Sequence, residues 1–442
     1  MAASSAHRIV GRHEFRGLRT VEHVFAVPID HGRPDGELIE VFAREYTSAA
    51  HPAQAAEKLP WLVFLQGGPG GRGNRVTSLS GWMKAAAADF RILMLDQRGT
   101  GLSTPADRVT LPHRGGAAAQ AEYLSHFRAD SIVLDCEAIR QELGSGPWTV
   151  FGQSYGGFCT LTYLSLAPHG LRRALLTGGL APLEGPAERV YRATYERVAA
   201  RNAQYFGWYP DDRAAVSAVI GHLRDHDERL PSGERLTPER FQLVGSLLGG
   251  NTRVDTLHYL LEDAFSGGLG GSGGGNGARL SDVFLAQVQG LVTRAPNPLY
   301  AVLHEAIYAQ GGATDWAAWR VLDERPEFKA DAAEPLLLGE MVMPWYFEQD
   351  PALVPLAETA EILAQKSDWG PLYDSARLAA NTVPAAAAVY RDDIFVDRGL
   401  SLETAGRVRG LQVWETSDFH HDGITDDGEA IFARLLGMAD PD

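Results

Sequence analysis

The sequence predicts an α/β fold with a mostly parallel sheet, interrupted by a largely helical insertion. Three observations support this prediction. Short apolar runs without polar alternation end in glycine-rich turns, as strands buried on both faces of a parallel sheet do. Stretches with helical periodicity separate these runs. One long central stretch is rich in Trp, Tyr, Arg and Glu and has few strand-like runs.

The first elements are predicted to form an antiparallel hairpin. Residues 21–29 and 38–46 are rich in β-branched and aromatic residues, and turn-forming residues 31–36 separate them. The strands of the parallel sheet should follow this hairpin. They are predicted at residues 61–65, 90–95, 148–151, 171–177, 383–390 and 411–415.

The clearest helix is predicted over residues 131–143. Its apolar residues share one face, Asp130 can cap its first turn, and Gly144 follows its last. The chain has two cysteines, Cys136 and Cys159, and both fall in predicted helices. They do not form a Cys-x-x-Cys pair, so they are expected to be free thiols of a reducing compartment.

The order of these elements predicts two structural units. Residues 1–182 and 376–442 are expected to form the sheet-bearing core, and residues 183–375 a helical cap inserted between its two parts. Within the insertion, residues 266–277 are rich in glycine but are not followed by Gly-Lys-Ser/Thr. This segment is therefore predicted to be a flexible loop and not a phosphate-binding loop.

Composition and charge exclude several classes of protein. The formal net charge of −16 argues against a nucleic-acid-binding protein, which needs a basic surface to neutralise phosphates. The first residues lack the apolar core of a signal peptide, and no segment has the length of apolar sequence that crosses a bilayer. A cytoplasmic protein without membrane partners is expected. Nothing in the sequence predicts the oligomeric state.

The strongest motif is Gly152-Gln153-Ser154-Tyr155-Gly156, which matches Gly-x-Ser-x-Gly. A predicted buried strand precedes it and a helix-like stretch follows. This is the context of the nucleophile elbow, a tight strand-to-helix turn that presents the serine hydroxyl at the top of the sheet. The motif predicts an α/β-hydrolase fold with Ser154 as the nucleophile.

A nucleophilic serine needs a histidine base and a carboxylate that orients it, and in this fold the carboxylate precedes the histidine along the chain. Asp392 and Asp393 follow one late predicted strand, and His420 and His421 follow the last. Asp393 and His421 are the favoured members of the two pairs, but both pairs stay open. The histidine pair lacks the spacing of a zinc site, so no metal is expected.

Two glycine-containing segments complete the predicted site. The turn at residues 66–70 follows the first buried strand, and acyl transfer needs N–H groups aimed at the developing oxyanion. The backbone N–H groups of Gly68 and Tyr155 are the candidates. Residues 96–103 form a second structured loop, in which Asp96 and Arg98 are expected to pair and brace the site.

The three segments together resemble the proline iminopeptidase family of α/β hydrolases. That family carries a HGGPG-type turn, a DQRGxGxS segment and a GxSxGG elbow, and here residues 66–70, 96–103 and 152–157 match them in order. The resemblance extends from about residue 20 to the end and is closest to the members with a larger cap. One departure is Gln66, where many members have His.

The resemblance implies an activity. It implies hydrolysis after the N-terminal residue of a peptide, classically proline, without a metal or organic cofactor. Members read the free amine with acidic residues of the cap, for which Glu305 and Glu340 are the candidates and Glu348 is a third. The neighbouring aromatic residues 345–347 can wall a proline-sized pocket or pack in the core.

Two other functions remain compatible with the sequence. An esterase, amidase or lactonase of the same fold would use the same triad without reading a free amine. A catalytically silent binding protein would use the cap pocket as a receptor, although such proteins usually lose one triad residue.

Overall fold

The computed structural model describes residues 6–251, 253–266 and 279–440. Within these residues, nine strands form one sheet in the order β1-β2-β3-β5-β4-β6-β7-β8-β9. The neighbours among β1, β2, β3 and β5 pair antiparallel, and all later neighbours in this order pair parallel. The strands are β1 (His7–Phe15), β2 (Leu18–Pro28), β3 (Leu38–Ser48), β4 (Trp61–Leu65), β5 (Arg91–Asp96), β6 (Trp148–Gln153), β7 (Leu171–Thr177), β8 (Ala385–Tyr390) and β9 (Leu411–Thr416).

The predicted strands are confirmed, and one strand was missed. The hairpin is formed by β2 and β3, which pair in register from Leu18 opposite Ser48 to Pro28 opposite Leu38. The missed strand is β1, which lies at the edge of the sheet and is exposed along most of its length. Because β1 buries neither face, its sequence lacks the apolar alternation by which a strand is recognised.

Helices cover both faces of the sheet and form the insertion. The α-helices are α1 (Ala53–Ala56), α2 (Gly81–Ala86), α3 (Ala117–Ser125), α4 (Ala129–Glu142), α5 (Tyr155–Leu166), α6 (Ala187–Trp208), α7 (Pro210–Asp225), α8 (Pro238–Gln242), α9 (Arg253–Glu262), α10 (Asp282–Val292), α11 (Pro298–Leu303), α12 (Ala317–Leu322), α13 (Tyr346–Gln349), α14 (Ala357–Gln365), α15 (Ser375–Ala379), α16 (Arg398–Arg407) and α17 (Gly423–Met438). Helices α4 and α5 pack on one face of the sheet, and α2 and α17 pack on the other.

The helix predicted over residues 131–143 is α4, but its start was predicted wrongly. The helix begins at Ala129 with Arg128 as the N-cap residue, so Asp130 lies inside the first turn. There its carboxylate lies 3.6 Å from the Arg128 guanidinium, in the position where a negative charge complements the helix dipole. Gly144 follows the helix with a φ of 61°, as expected of a helix C-terminus.

The insertion lies between β7 and β8. Between these strands, the described elements are α6 to α15 and short 3₁₀ helices. Most of them pack in one apolar cluster that also includes residues of α3, whereas Leu378 of α15 packs in the core of the sheet. The boundaries proposed for the cap stay a prediction, and the glycine-rich segment predicted to be a loop lies, apart from Ser266, outside the described residues. Among the described helices, none has the length and apolar character needed to cross a membrane.

Candidate active site

Ser154 lies in a strained turn between β6 and α5. Its φ of 56° and ψ of −125° are unusual for a residue with a side chain and cost roughly 1–3 kcal/mol. The flanking glycines make this turn possible. A Cβ on Gly152 would lie 2.2 Å from the carbonyl oxygen of Gly156, and one on Gly156 would lie 1.9 Å from that of Leu65. The glycine spacing of the motif therefore follows from close backbone contacts.

Ser154, His421 and Asp393 form a continuous chain of hydrogen bonds. Ser154 Oγ lies 2.9 Å from His421 Nε2, and His421 Nδ1 lies 2.8 Å from Asp393 Oδ2. The other Asp393 oxygen accepts hydrogen bonds from the backbone N–H groups of Phe395 and Val396, at 2.8 and 3.0 Å. Asp393 is thus held in place and can keep the His421 proton on Nδ1, which leaves Nε2 to accept the serine proton.

The structure distinguishes between the adjacent residues that the sequence left open. Asp392 is exposed, whereas Asp393 is buried against His421. His420 is also buried, but its Nδ1 has no hydrogen-bond partner among the described residues, and burial together with the nearby charge of Arg201 lowers its pKa. Only Asp393 and His421 of the four therefore join Ser154.

The surroundings of His421 favour proton uptake. Burial by itself lowers the pKa of His421, but the charge of Asp393 and the hydrogen bond to it outweigh burial, so that the pKa lies above its ordinary value of 6.5. The charge of Glu340 acts in the same direction. The edge of the Phe395 ring packs against the imidazole with ring centroids 4.9 Å apart, which restricts the orientation of the base.

The glycine turn after β4 packs directly on the elbow. A Cβ on Gly67 would lie 3.1 Å from the Cβ of Ser154. The backbone of Gly68, with a φ of 143°, continues from this contact. Tyr155 is the first residue of α5, so its N–H has no acceptor within the helix. The turn and the helix start thus bring the two candidate donors to the same side of the sheet as Ser154.

The expected ion pair between Asp96 and Arg98 is not formed. Asp96 pairs with both terminal nitrogens of Arg75, each at 2.7 Å. Arg98 donates instead to Asp135 of α4, with its Nε 2.8 Å from the carboxylate. Asp96 is the last residue of β5 and Arg98 follows it by two residues, but their side chains bind different partners. Each side chain therefore holds the loop against a separate segment.

Glu340 lies near the serine site and is half-buried. Loss of water around its carboxylate is the largest influence on its pKa and raises it, and the charge of Asp393 raises it further. The charges of His421 and Arg294 and the hydroxyl of Tyr300 lower it. Glu340 takes part in none of the close ion pairs formed among the described residues, and Arg294 acts on it only through its charge at longer range. A carboxylate shielded from water in this way is costly unless a cation joins it.

Glu305 has a different set of partners. Its two carboxylate oxygens accept hydrogen bonds from the backbone N–H groups of Ala317 and Ala318, each at 2.9 Å. These bonds cap the start of α12. Burial raises the pKa of Glu305 to about 7 although the two backbone bonds lower it. Glu305 therefore supports the fold of the cap, whatever it contributes to a ligand.

The remaining candidates of the cap are Glu348 and the aromatic residues 345–347. Glu348 is exposed in α13. Tyr346 and Phe347 are buried in the apolar core of the insertion, and the Tyr346 hydroxyl donates to the carbonyl oxygen of Met341 at 2.7 Å.

Sequence reasoning also missed three residues near Glu340. Tyr300 interacts with it through its hydroxyl, and the charge of Arg294 lowers the pKa of Glu340. Tyr308 is the third, and its pKa is raised by burial and by the charges of Glu340 and Asp393.

The fold and this site define the chain as an α/β hydrolase of the serine type. Residues 60–235 match the family model described as the alpha/beta hydrolase fold. The chain is 46% identical over 425 residues to a proline iminopeptidase of Aeromonas sobria, which covers 96% of this chain and 97% of the relative. It is 33% identical over 434 residues to a proline iminopeptidase of Aspergillus aculeatus, which covers 95% and 93% of the two chains. The chain belongs to the proline iminopeptidase family.

Solved structures resemble the chain more distantly. A proline iminopeptidase-related protein of Thermus thermophilus is 15% identical, with 95% of this chain and 98% of that one covered and a TM-score of 0.40. A Mycobacterium tuberculosis structure is 16% identical, with 94% and 97% covered and a TM-score of 0.42.

Proposed function

We propose that this chain is a serine aminopeptidase that releases an N-terminal residue, preferentially proline, from peptides through an acyl-enzyme. The observation that carries the proposal is the hydrogen-bonded chain of Ser154, His421 and Asp393 with the water-shielded carboxylate of Glu340 beside it. Two relatives that match over more than nine tenths of their length carry the name proline iminopeptidase.

Ser154 is the nucleophile of the first step. His421 Nε2 takes the hydroxyl proton as Ser154 attacks the carbonyl carbon of the N-terminal residue, and Asp393 stabilises the imidazolium that forms. His421 then gives the proton to the leaving nitrogen, and the shortened peptide departs. Water attacks the acyl-enzyme with the same base and releases the amino acid.

The oxyanion of each tetrahedral intermediate is assigned to two backbone donors, the N–H groups of Gly68 and Tyr155. Support comes from the packing of the glycine turn on the elbow. Fixed donors in a buried site stabilise the developing charge more than the neutral carbonyl, which lowers the barrier.

The substrate amine is assigned chiefly to Glu340. An ammonium group placed there would give this carboxylate a close cationic partner, whereas Arg294 reaches it only through longer-range charge. The same contact would fix the scissile bond one residue from the N-terminus. The expectation that Glu305 also contacts the amine remains open, because its two backbone bonds leave lone pairs unused. Peptides with a free N-terminus are therefore the proposed partners.

The proposed location is the cytoplasm. Its support is limited to the two buried cysteines, Cys136 and Cys159, which are both free. Free thiols are usual in reducing compartments.

The test is hydrolysis of aminoacyl arylamides, each with a free or an N-acetylated amine, beside an aryl acetate. We expect strong cleavage of the free prolyl compound and almost none of the acetylated one. The Ser154→Ala variant should fold normally, lose nearly all turnover and fail to react with a fluorophosphonate. Retained turnover in that variant would refute the assignment of Ser154 as the nucleophile.

The same panel separates the alternatives. Hydrolysis of the aryl acetate alone, or indifference to acetylation, would indicate an esterase, amidase or lactonase that does not read an amine. Failure of Ser154 to react with the fluorophosphonate, together with no hydrolysis of any substrate, would indicate a binding protein.

A further inference from the structure

Asn297 joins the cap to the glycine turn of the core. Its side-chain oxygen accepts a hydrogen bond from the backbone N–H of Tyr300 at 3.1 Å and caps α11. Its side-chain nitrogen donates to the carbonyl oxygen of Pro69, 3.2 Å away. The amide group of Asn297 therefore forms hydrogen bonds both with the first turn of α11 in the cap and with the glycine turn of the core.

The contact around this amide is close. A Cβ on Gly70 would lie 2.4 Å from the Asn297 side-chain oxygen and 2.7 Å from the Cβ of Leu299. A Cβ on Gly99 would lie 2.8 Å from a methyl group of the same leucine. The start of α11 thus packs against two glycine-containing loops of the core, and no side chain fits between the helix and either loop.

The same helix start leads to the candidate amine site. Tyr300, whose backbone N–H is held by Asn297, interacts through its hydroxyl with the Glu340 carboxylate. The carbonyl of Pro69, at the other side of Asn297, belongs to the residue after Gly68. Asn297 therefore stands between the carboxylate proposed to hold the amine and the turn proposed to hold the oxyanion.

We propose that Asn297 is a positioning residue that sets the distance between the amine site and the oxyanion turn. This inference rests on the proposed aminopeptidase function. An aminopeptidase must hold the amine and the scissile carbonyl of one residue at the same time, so an error in the spacing of the two sites misplaces the carbonyl. A displacement of about 1 Å can lower the rate of such a reaction by roughly 10²-fold.

Three variants separate the two hydrogen bonds of Asn297. Asn297→Asp keeps an oxygen that can cap α11 and has no donor for Pro69. Asn297→Ser also keeps a capping oxygen, but its single hydroxyl is carried on a side chain one atom shorter. Asn297→Ala lacks both the oxygen and the donor. Each is compared with the wild-type protein by its melting temperature, its rate of labelling by a fluorophosphonate, and kcat and KM for free prolyl arylamide and for phenyl acetate.

The expected result is a kcat for prolyl arylamide about 10-fold lower in the serine and aspartate variants, with a smaller change in KM. Phenyl acetate spans only the oxyanion site, so its hydrolysis, the labelling rate and the melting temperature should change little. Wild-type behaviour of the aspartate variant on both substrates, or equal losses on both, would overturn the inference. If the wild-type protein itself fails to cleave prolyl arylamide, the proposed function fails and the inference falls with it.

Discussion

Glu340→Gln is the substitution that most directly tests amine recognition. It removes the negative charge but keeps the size of the side chain and an oxygen for the Tyr300 hydroxyl. The surroundings of Glu340 already keep water from its carboxylate, so an ammonium paired with it is shielded as well. Removing one partner of a buried, hydrogen-bonded charge pair costs about 2–5 kcal/mol, and about 3 kcal/mol corresponds to a loss of roughly 10²-fold in kcat/KM.

The assay compares two substrates in one preparation. The kcat/KM for free prolyl arylamide should fall by roughly that factor, whereas phenyl acetate hydrolysis should stay near the wild-type rate. Glu348→Gln is the matched control, because Glu348 is an exposed carboxylate of the same part of the cap. Equal losses on both substrates would indicate a damaged triad, and an unchanged arylamide rate would refute the role of Glu340.

The same variant should be more stable than the wild type at alkaline pH. Loss of hydration raises the pKa of Glu340 above its ordinary value of 4.5, so between these two values the folded protein binds more protons at this site than the unfolded chain. Stability therefore falls as the pH rises through that interval, and the glutamine removes this loss. A melting temperature of Glu340→Gln at or below that of the wild type at pH 8 would contradict the argument.

The remaining predictions concern the base, its orientation and Glu305. Asp393→Asn should lower kcat by about 10⁴-fold, because Asp393 orients His421. It should also shift the acidic limb of the kcat/KM profile to lower pH, because Asp393 raises the pKa of His421. Asp392→Asn is the control and should leave both quantities nearly unchanged. His421→Ala should abolish turnover, and His420→Ala should retain most of it. Glu305→Gln should flatten the dependence of the unfolding free energy on pH between 4.5 and about 7, because the raised pKa of Glu305 costs the folded state up to about 3 kcal/mol over this interval. Urea unfolding of wild type and variant at pH 5 and 8 measures the difference. An unchanged dependence on pH in the variant would contradict the prediction.

The local signals of the sequence predicted the fold and the elbow because both depend on short segments. The buried strands are continuous apolar runs, and the glycines around Ser154 are required by backbone contacts within a few residues and with the neighbouring strand. The order of the strands along the chain also placed the acid and the base after the nucleophile. The choice of Asp393 and His421 within their pairs depended on side-chain direction, which adjacent residues of a loop do not reveal.

Partners that are distant along the chain were outside the reach of this reasoning. The ion pair expected between Asp96 and Arg98 is replaced by contacts to Arg75 and to Asp135, and the second of these lies in a helix that the loop meets only in the folded protein. The exposed strand β1 lacked the apolar pattern on which recognition depends. In each case the missing information is tertiary.

The two carboxylates of the cap show that the hydrogen-bonding and ionic partners of a carboxylate indicate its role, and that loss of hydration alone does not. Glu305 is buried and Glu340 half-buried, and loss of hydration raises the pKa of both. The oxygens of Glu305 accept two backbone N–H groups, which explains its burial by the helix it caps. Glu340 has a tyrosine hydroxyl and lies within electrostatic range of His421 and Arg294, but no cation among the described residues forms a close ion pair with it. A carboxylate that is shielded from water and has no close cation lowers stability. The ammonium group of the substrate can pair with this carboxylate, and it would do so beside the reacting serine.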